Sequence, residues 1–230
     1  MTGTFFTLGG GGFSMSEDGS SLLDDYLLTL VDKPRPKVCF VGTASGDSST
    51  YVERFLRAFE SRADATVCTL FAQRDYDYTD PSMLLDQDIV YVGGGSVANL
   101  LALWRLHGVD EVLEQAAAQG VVLAGISAGM NCWFEASSTD SFGSLSPLHD
   151  GLGFLPGSAC PHYSNDDYRA ENYPAWIANG ALPPGYAADD GVALLWRDSA
   201  LIEAVSERAD GRAFRVDAGG ESAVTVRYLG

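Results

Sequence analysis

Across the first two-thirds of the chain, short apolar runs alternate with segments of helical periodicity. That alternation limits the possible folds more than any other feature. Residues 3–8, 37–41, 66–71, 89–92 and 121–124 read as strands, and the runs at 37–41 and 89–92 have the near-continuous apolar character of buried ones. Between them, residues 22–31, 51–61, 97–106 and 111–118 carry helical spacing, as with Val52, Phe55, Leu56 and Phe59. Strands interleaved with helices predict an α/β fold, a mostly parallel sheet flanked by helices on both faces. The pattern then changes. Residues 187–196, 200–205, 213–216 and 223–228 read as strands of an antiparallel C-terminal extension of the same sheet, which makes residues 1–230 one domain. Residues 163–185, rich in Asp, Asn, Tyr and Pro, read as a long loop with a short helix, the kind of segment that borders a site.

Composition narrows the function classes. With 46% hydrophobic and 20% charged residues, the chain can bury a sizeable core and is not expected to be disordered. A net charge of −17, from 31 acidic and 14 basic side chains, argues against a nucleic-acid partner, because no basic excess exists to neutralise phosphates. No run approaches the ~20 apolar residues of a membrane span. The N-terminus has no basic n-region, so no signal peptide is expected. Cys39, Cys68, Cys132 and Cys160 form no C-x-x-C pair and lie in or beside apolar stretches, which suits buried thiols in a reducing compartment. The cytoplasm is the expected location, and a monomer or homodimer the expected assembly.

The strand at 121–124 runs directly into Gly125-Ile126-Ser127-Ala128-Gly129. Small residues on either side of a nucleophile let the chain turn sharply and push the side chain into a cleft at the carboxyl end of a parallel sheet. The N–H of Ala128 then opens a helix and points where an oxyanion would form. A serine hydroxyl needs a base. Of three histidines, His107 ends a helix, where a helix C-terminal role accounts for it, while His149, in a turn-rich stretch, and His162, after Pro161 and before an Asn/Asp-rich loop, are the candidates for the base. Asp190, Asp189 and Asp140 are candidates for the carboxylate that orients the imidazole. The glycine run 93–95 lacks the Lys and Thr of a phosphate loop but can supply a second oxyanion N–H; the run 9–12 raises the same question. Three scattered histidines and no H-E-x-x-H motif give no metal site, and no cofactor is expected.

Taken together, Val92-Gly93-Gly94-Gly95, Gly125-Ile126-Ser127-Ala128-Gly129-Met130-Asn131, Pro161-His162-Tyr163 and Asp190-Gly191 resemble peptidase family S51. That family includes aspartyl dipeptidase (peptidase E) and cyanophycinase, and its fold is akin to class I glutamine amidotransferases. The resemblance runs in order from about residue 1 to about 195. It implies Ser127 as nucleophile and His162 as base, with Gly95 and Ala128 supplying the oxyanion N–H groups. The acid of the family's Ser-His-Glu triad falls on Asp190, one methylene shorter than Glu. Arg169 falls where aspartyl dipeptidases place an arginine that recognises the substrate's acidic residue, and Asn131 and Tyr163 flank the catalytic positions as substrate contacts. The implied activity is a serine-type peptidase acting through an acyl-enzyme on small peptides, with an N-terminal Asp before the scissile bond. A cyanophycinase-like or esterase-like hydrolase, and a non-catalytic binding protein on the same fold, are the alternatives.

Overall fold

The computed structural model describes residues 2–71, 77–165 and 167–230. In chain order its strands are β1 (Thr4–Leu8), β2 (Lys37–Val41), β3 (Asp64–Cys68), β4 (Ile89–Val92), β5 (Val122–Ile126), β6 (Phe134–Thr139), β7 (Ser146–Leu148), β8 (Leu155–Cys160), β9 (Gly185–Ala188), β10 (Val192–Arg197), β11 (Ala200–Ser206), β12 (Ala213–Asp217), β13 (Gly220–Val224) and β14 (Val226–Tyr228). The helices are α1 (Gly12–Met15), α2 (Leu22–Thr29), α3 (Ser49–Phe59), α4 (Val97–His107), α5 (Val109–Ala118), α6 (Ala128–Asn131) and α7 (Asp167–Ala178).

Eight strands form the main sheet in the order β14-β11-β10-β1-β5-β4-β2-β3. Its β1, β5, β4, β2 and β3 are parallel, and β10 and β11 continue it antiparallel. Successive side chains of a strand point to opposite faces, so a strand covered on both sides must be apolar at every position. The sequence obeys this. Cys39, Val41, Val90 and Val92 pack with Leu100, Leu101 and Trp104 of α4 and Leu113 of α5. Their neighbours Val38, Phe40, Ile89 and Tyr91 pack on the other face with Leu23 and Leu27 of α2 and Phe55 and Phe59 of α3. Phe13 adds an aromatic plug on that second face, with its ring edge-on to Phe40, Phe55, Phe59 and Tyr91.

The C-terminal strands divide between two sheets. β12 and β13 leave the main sheet and join β9, β8, β6 and β7 in a second one, ordered β13-β12-β9-β8-β6-β7. The apolar run expected as one strand over 187–196 is interrupted at Asp189-Asp190-Gly191, where Gly191 takes φ 76. β9 before the break belongs to the second sheet and β10 after it to the main one. Within the stretch expected as a long loop, α7 runs for 12 residues and packs Tyr173 and Ile177 against the second sheet; residue 166 lies outside the described residues.

Candidate active site

Pairing register brings three loops to one edge of the main sheet. Leu8 of β1 stands opposite Ile126 of β5, and Val92 of β4 opposite Gly125. The glycines at 9–12, the glycines at 93–95 and Ser127 therefore leave neighbouring strands side by side, at the carboxyl ends where open α/β sheets collect ligands.

Ser127 has φ 57 and ψ −111, a conformation that L-residues avoid. Its N–H donates to the Leu8 carbonyl at 3.1 Å, and its own carbonyl accepts from Met130 and Asn131 at 2.9 Å, so the turn is fixed from both sides. The flanking glycines are there for clearance. A β-carbon on Gly125 would stand 2.2 Å from the Gly129 carbonyl oxygen, and one on Gly129 would stand 2.3 Å from the Val92 carbonyl oxygen. Strain of this kind costs about 1–3 kcal/mol and persists where the surroundings over-determine the backbone.

His162 also has a positive φ, 54, and its N–H donates to the Gly9 carbonyl at 3.0 Å. Its Nδ1 lies 2.5 Å from Oδ1 of Asp190, while Oδ2 accepts from the Asn165 amide at 2.7 Å. An ionised Asp190 holds the ring proton on Nδ1 and leaves Nε2 as the acceptor, the tautomer a general base needs. The glycine run at 9–12 fits against this pair. A β-carbon on Gly10 would come within 1.9 Å of the Asp190 Oδ1, and the Gly10 carbonyl accepts from Gly191 N–H at 3.0 Å. The run acts as a close-packed brace for the His–Asp contact.

A cavity of about 340 Å³ has Ser127 and His162 in its wall together with Gly94, Ile126, Tyr51 and Arg54. Gly94 packs close to the serine: a β-carbon there would lie 3.3 Å from Ser127 Cβ. Its N–H donates to the Tyr51 hydroxyl at 3.3 Å. Among the described residues, the N–H groups of Gly95 and Ala128 have no hydrogen-bond partner. Gly95 takes φ 137 against the Ala44 carbonyl, a close approach that only glycine permits.

The remaining candidates lie elsewhere. Asp189 accepts from Ser164 N–H and Arg212, anchoring the loop after His162. Asp140 pairs with Arg169 at 3.2 Å. Arg169, Asn131 and Tyr163, expected at substrate, are not in the wall of this cavity. The Arg169 side chain is 8% exposed and also donates to Ser138 Oγ. Asn131 donates to the Ser138 carbonyl and ties α6 to β6. The Tyr163 ring is buried beside Tyr173 and Phe214, and its hydroxyl donates to Glu221. Of the other histidines, His107 meets the Tyr78 hydroxyl at 3.1 Å and His149 is exposed after β7. Among the described residues no group of three His, Cys, Asp or Glu side chains is placed to hold a metal ion, and no helix is long and apolar enough to cross a membrane.

Tyr51, Arg54 and Asn165 are not among the site residues expected from the sequence. The first two sit three residues apart on α3, a spacing that puts them on one helical face. That pattern is visible in the sequence, but it looks like any solvated helix surface until the fold places it in one cavity wall with the serine.

Comparison with known proteins gives concordant results. A family model described as Peptidase family S51 matches residues 5–204. The uncharacterized peptidase YgaJ of Bacillus subtilis (strain 168) is 44% identical over 228 residues, covering 97% of each chain. Peptidase E of Streptomyces coelicolor is 31% identical over 134 residues, covering 57% of this chain and 53% of that one. A crystal structure of a peptidase from an acI-B1 Actinobacterium superposes with a TM-score of 0.71 at 17% identity, covering 98% of this chain and 95% of that one. At that identity the likeness concerns fold alone, and it agrees with the class I glutamine amidotransferase-like architecture expected from the sequence.

Proposed function

The chain belongs to peptidase family S51, and on that premise we propose that it is a serine-type peptidase cleaving small peptides through an acyl-enzyme. The observation that carries the reading is the shared cavity: Ser127, strained at φ 57, and His162, bonded to Asp190, stand in one wall. Strain at a serine in such a turn exposes its Oγ to the cleft.

In this reading Ser127 Oγ attacks the scissile carbonyl carbon while His162 Nε2 takes the hydroxyl proton. Asp190 keeps the imidazole in the required tautomer and stabilises its charged form. The developing oxyanion meets the Gly95 and Ala128 N–H groups, whose lack of internal partners supports this role. The imidazolium then protonates the departing amine as the C–N bond breaks. A water molecule, deprotonated by His162, attacks the ester; the tetrahedral intermediate collapses to release the acid and restore Ser127. The expected substrate is a short peptide with Asp before the scissile bond. The four cysteines are buried and none forms a disulfide, which supports a reducing, cytoplasmic setting.

Hydrolysis of Asp-X dipeptides, β-aspartyl-arginine polymer and simple esters by wild type and Ser127→Ala tests the proposal. The expected result is turnover of dipeptides by wild type and none by the variant. Cleavage by Ser127→Ala at near wild-type rate would overturn it.

A further inference from the structure

The notable feature of the cavity wall is a permanent cation that is not Arg169. Arg54 of α3 forms part of the wall of the cavity that also holds Ser127 and His162. Its Nη2 donates to the carbonyls of Ser16 at 2.9 Å and Phe13 at 3.4 Å. Carbonyls are neutral, so these bonds orient the guanidinium without cancelling its charge. Among the described residues no carboxylate forms an ion pair with it, although Glu17 and Asp18 border a neighbouring hollow. Arg169 is the opposite case, largely buried and paired with Asp140.

Charge sharpens the contrast. On a protein of net charge −17, an anionic ligand approaches against the overall field. Most of the described basic side chains are already paired with an acid, as Lys33, Arg35, Arg62, Arg105, Arg208, Arg212 and Arg227 are. An arginine held by carbonyls, and in no ion pair among the described residues, is suited to recognising a carboxylate by charge-assisted hydrogen bonds. Tyr51, three residues earlier on the same helical face, lines the same cavity and accepts from Gly94 N–H, a bond that does not use its own hydroxyl proton.

We infer that Arg54, assisted by Tyr51, is the residue that selects substrates bearing a carboxylate next to the scissile bond. This rests on the serine-peptidase reading of the same cavity. The carboxylate can be an Asp side chain before the bond or the free C-terminus after it, and the experiment separates these two sources.

Hydrolysis of Asp-Leu, Asn-Leu and Asp-Leu-amide by wild type, Arg54→Gln and Arg54→Lys provides the test, with thermal melts to confirm folding. In wild type, converting the recognised carboxylate to its amide is expected to lower kcat/KM at least roughly tenfold. Arg54→Gln is expected to abolish that discrimination, and Arg54→Lys, which keeps charge but loses the planar fork, to retain part of it. The pair whose ratio collapses identifies the carboxylate. Discrimination that survives in Arg54→Gln overturns the inference, as does a wild type that shows none or cleaves none of the three peptides. Should Arg54→Gln fail to fold, Arg54→Lys decides: unchanged discrimination counts against the inference and reduced discrimination supports it. Labelling Ser127 with a fluorophosphonate distinguishes the two levels of failure. An unlabelled wild type means the serine-peptidase reading is wrong; equal labelling of wild type and Arg54→Gln with unchanged ratios means only the Arg54 assignment is wrong.

Discussion

Gly10 and Asp190 touch so closely that a β-carbon on the glycine would stand 1.9 Å from the carboxylate Oδ1. The same β-carbon would be 3.0 Å from His162 Nδ1. One methyl group therefore has nowhere to go except between the His162 ring and the Asp190 carboxylate. Gly10→Ala is expected to lower kcat about 10²-fold or more, the scale of an ångström-level misplacement, while the protein still folds. Turnover of an ester substrate together with a melting curve checks this. Near wild-type turnover would show that the brace is not needed.

The two neighbouring acids should behave differently. Asp190→Asn keeps the shape but reverses the hydrogen-bond preference at His162 Nδ1, and kcat is expected to fall roughly 10³- to 10⁴-fold. Asp189 instead anchors Ser164 N–H and Arg212. Asp189→Asn should lower stability by about 1–2 kcal/mol, as loss of charge-assisted bonds does, with a much smaller effect on kcat. Steady-state kinetics and urea melts of the two variants make the comparison.

Ser127 holds a backbone conformation suited to glycine. Ser127→Gly relieves strain of about 1–3 kcal/mol, against a glycine entropy cost of roughly 0.5–1 kcal/mol. The glycine variant should therefore melt higher than wild type, whereas Ser127→Ala, equally strained, should not. Calorimetry of the three proteins decides it.

Asp24 gives a pH dependence. Its side chain is fully buried, its Oδ2 accepts from Phe13 N–H at 2.6 Å, and its Oδ1 has no hydrogen-bond partner. Burial pushes the carboxyl up to about 7, although the Phe13 bond opposes the shift. The folded state then holds a proton that the unfolded chain releases near its ordinary value of about 4. Stability should fall as pH rises from about 4 to about 7. Asp24→Asn, which can still accept from Phe13, removes this contribution. The variant should gain more over wild type at pH 8 than at pH 5 in urea melts at each pH.

Much of this arrangement is legible in the sequence. The apolar runs of β2, β4 and β5 mark a sheet buried on both faces, and the glycines around Ser127 mark a turn with no room for side chains. The second sheet is not legible in the same way. β6 reads Phe-Glu-Ala-Ser-Ser-Thr and β8 Leu-Pro-Gly-Ser-Ala-Cys, short runs of small and polar residues whose strand character comes from pairing with each other. The break at Asp189-Asp190-Gly191 looks like a turn within one strand, yet it carries the chain from one sheet to the other and sets Asp190 against His162. Arg54 was hidden for a similar reason: its importance comes from where α3 lies, and helix periodicity says only that Tyr51 and Arg54 share a face.

The most direct measurement of the central claim is the site of covalent modification. Treating the intact protein with a fluorophosphonate and mapping the adduct by mass spectrometry should give one modification, on Ser127. It should be absent in Ser127→Ala and strongly slowed in His162→Ala. A protein that takes no adduct, or takes it on another residue while Ser127 stays unmodified, would contradict the account.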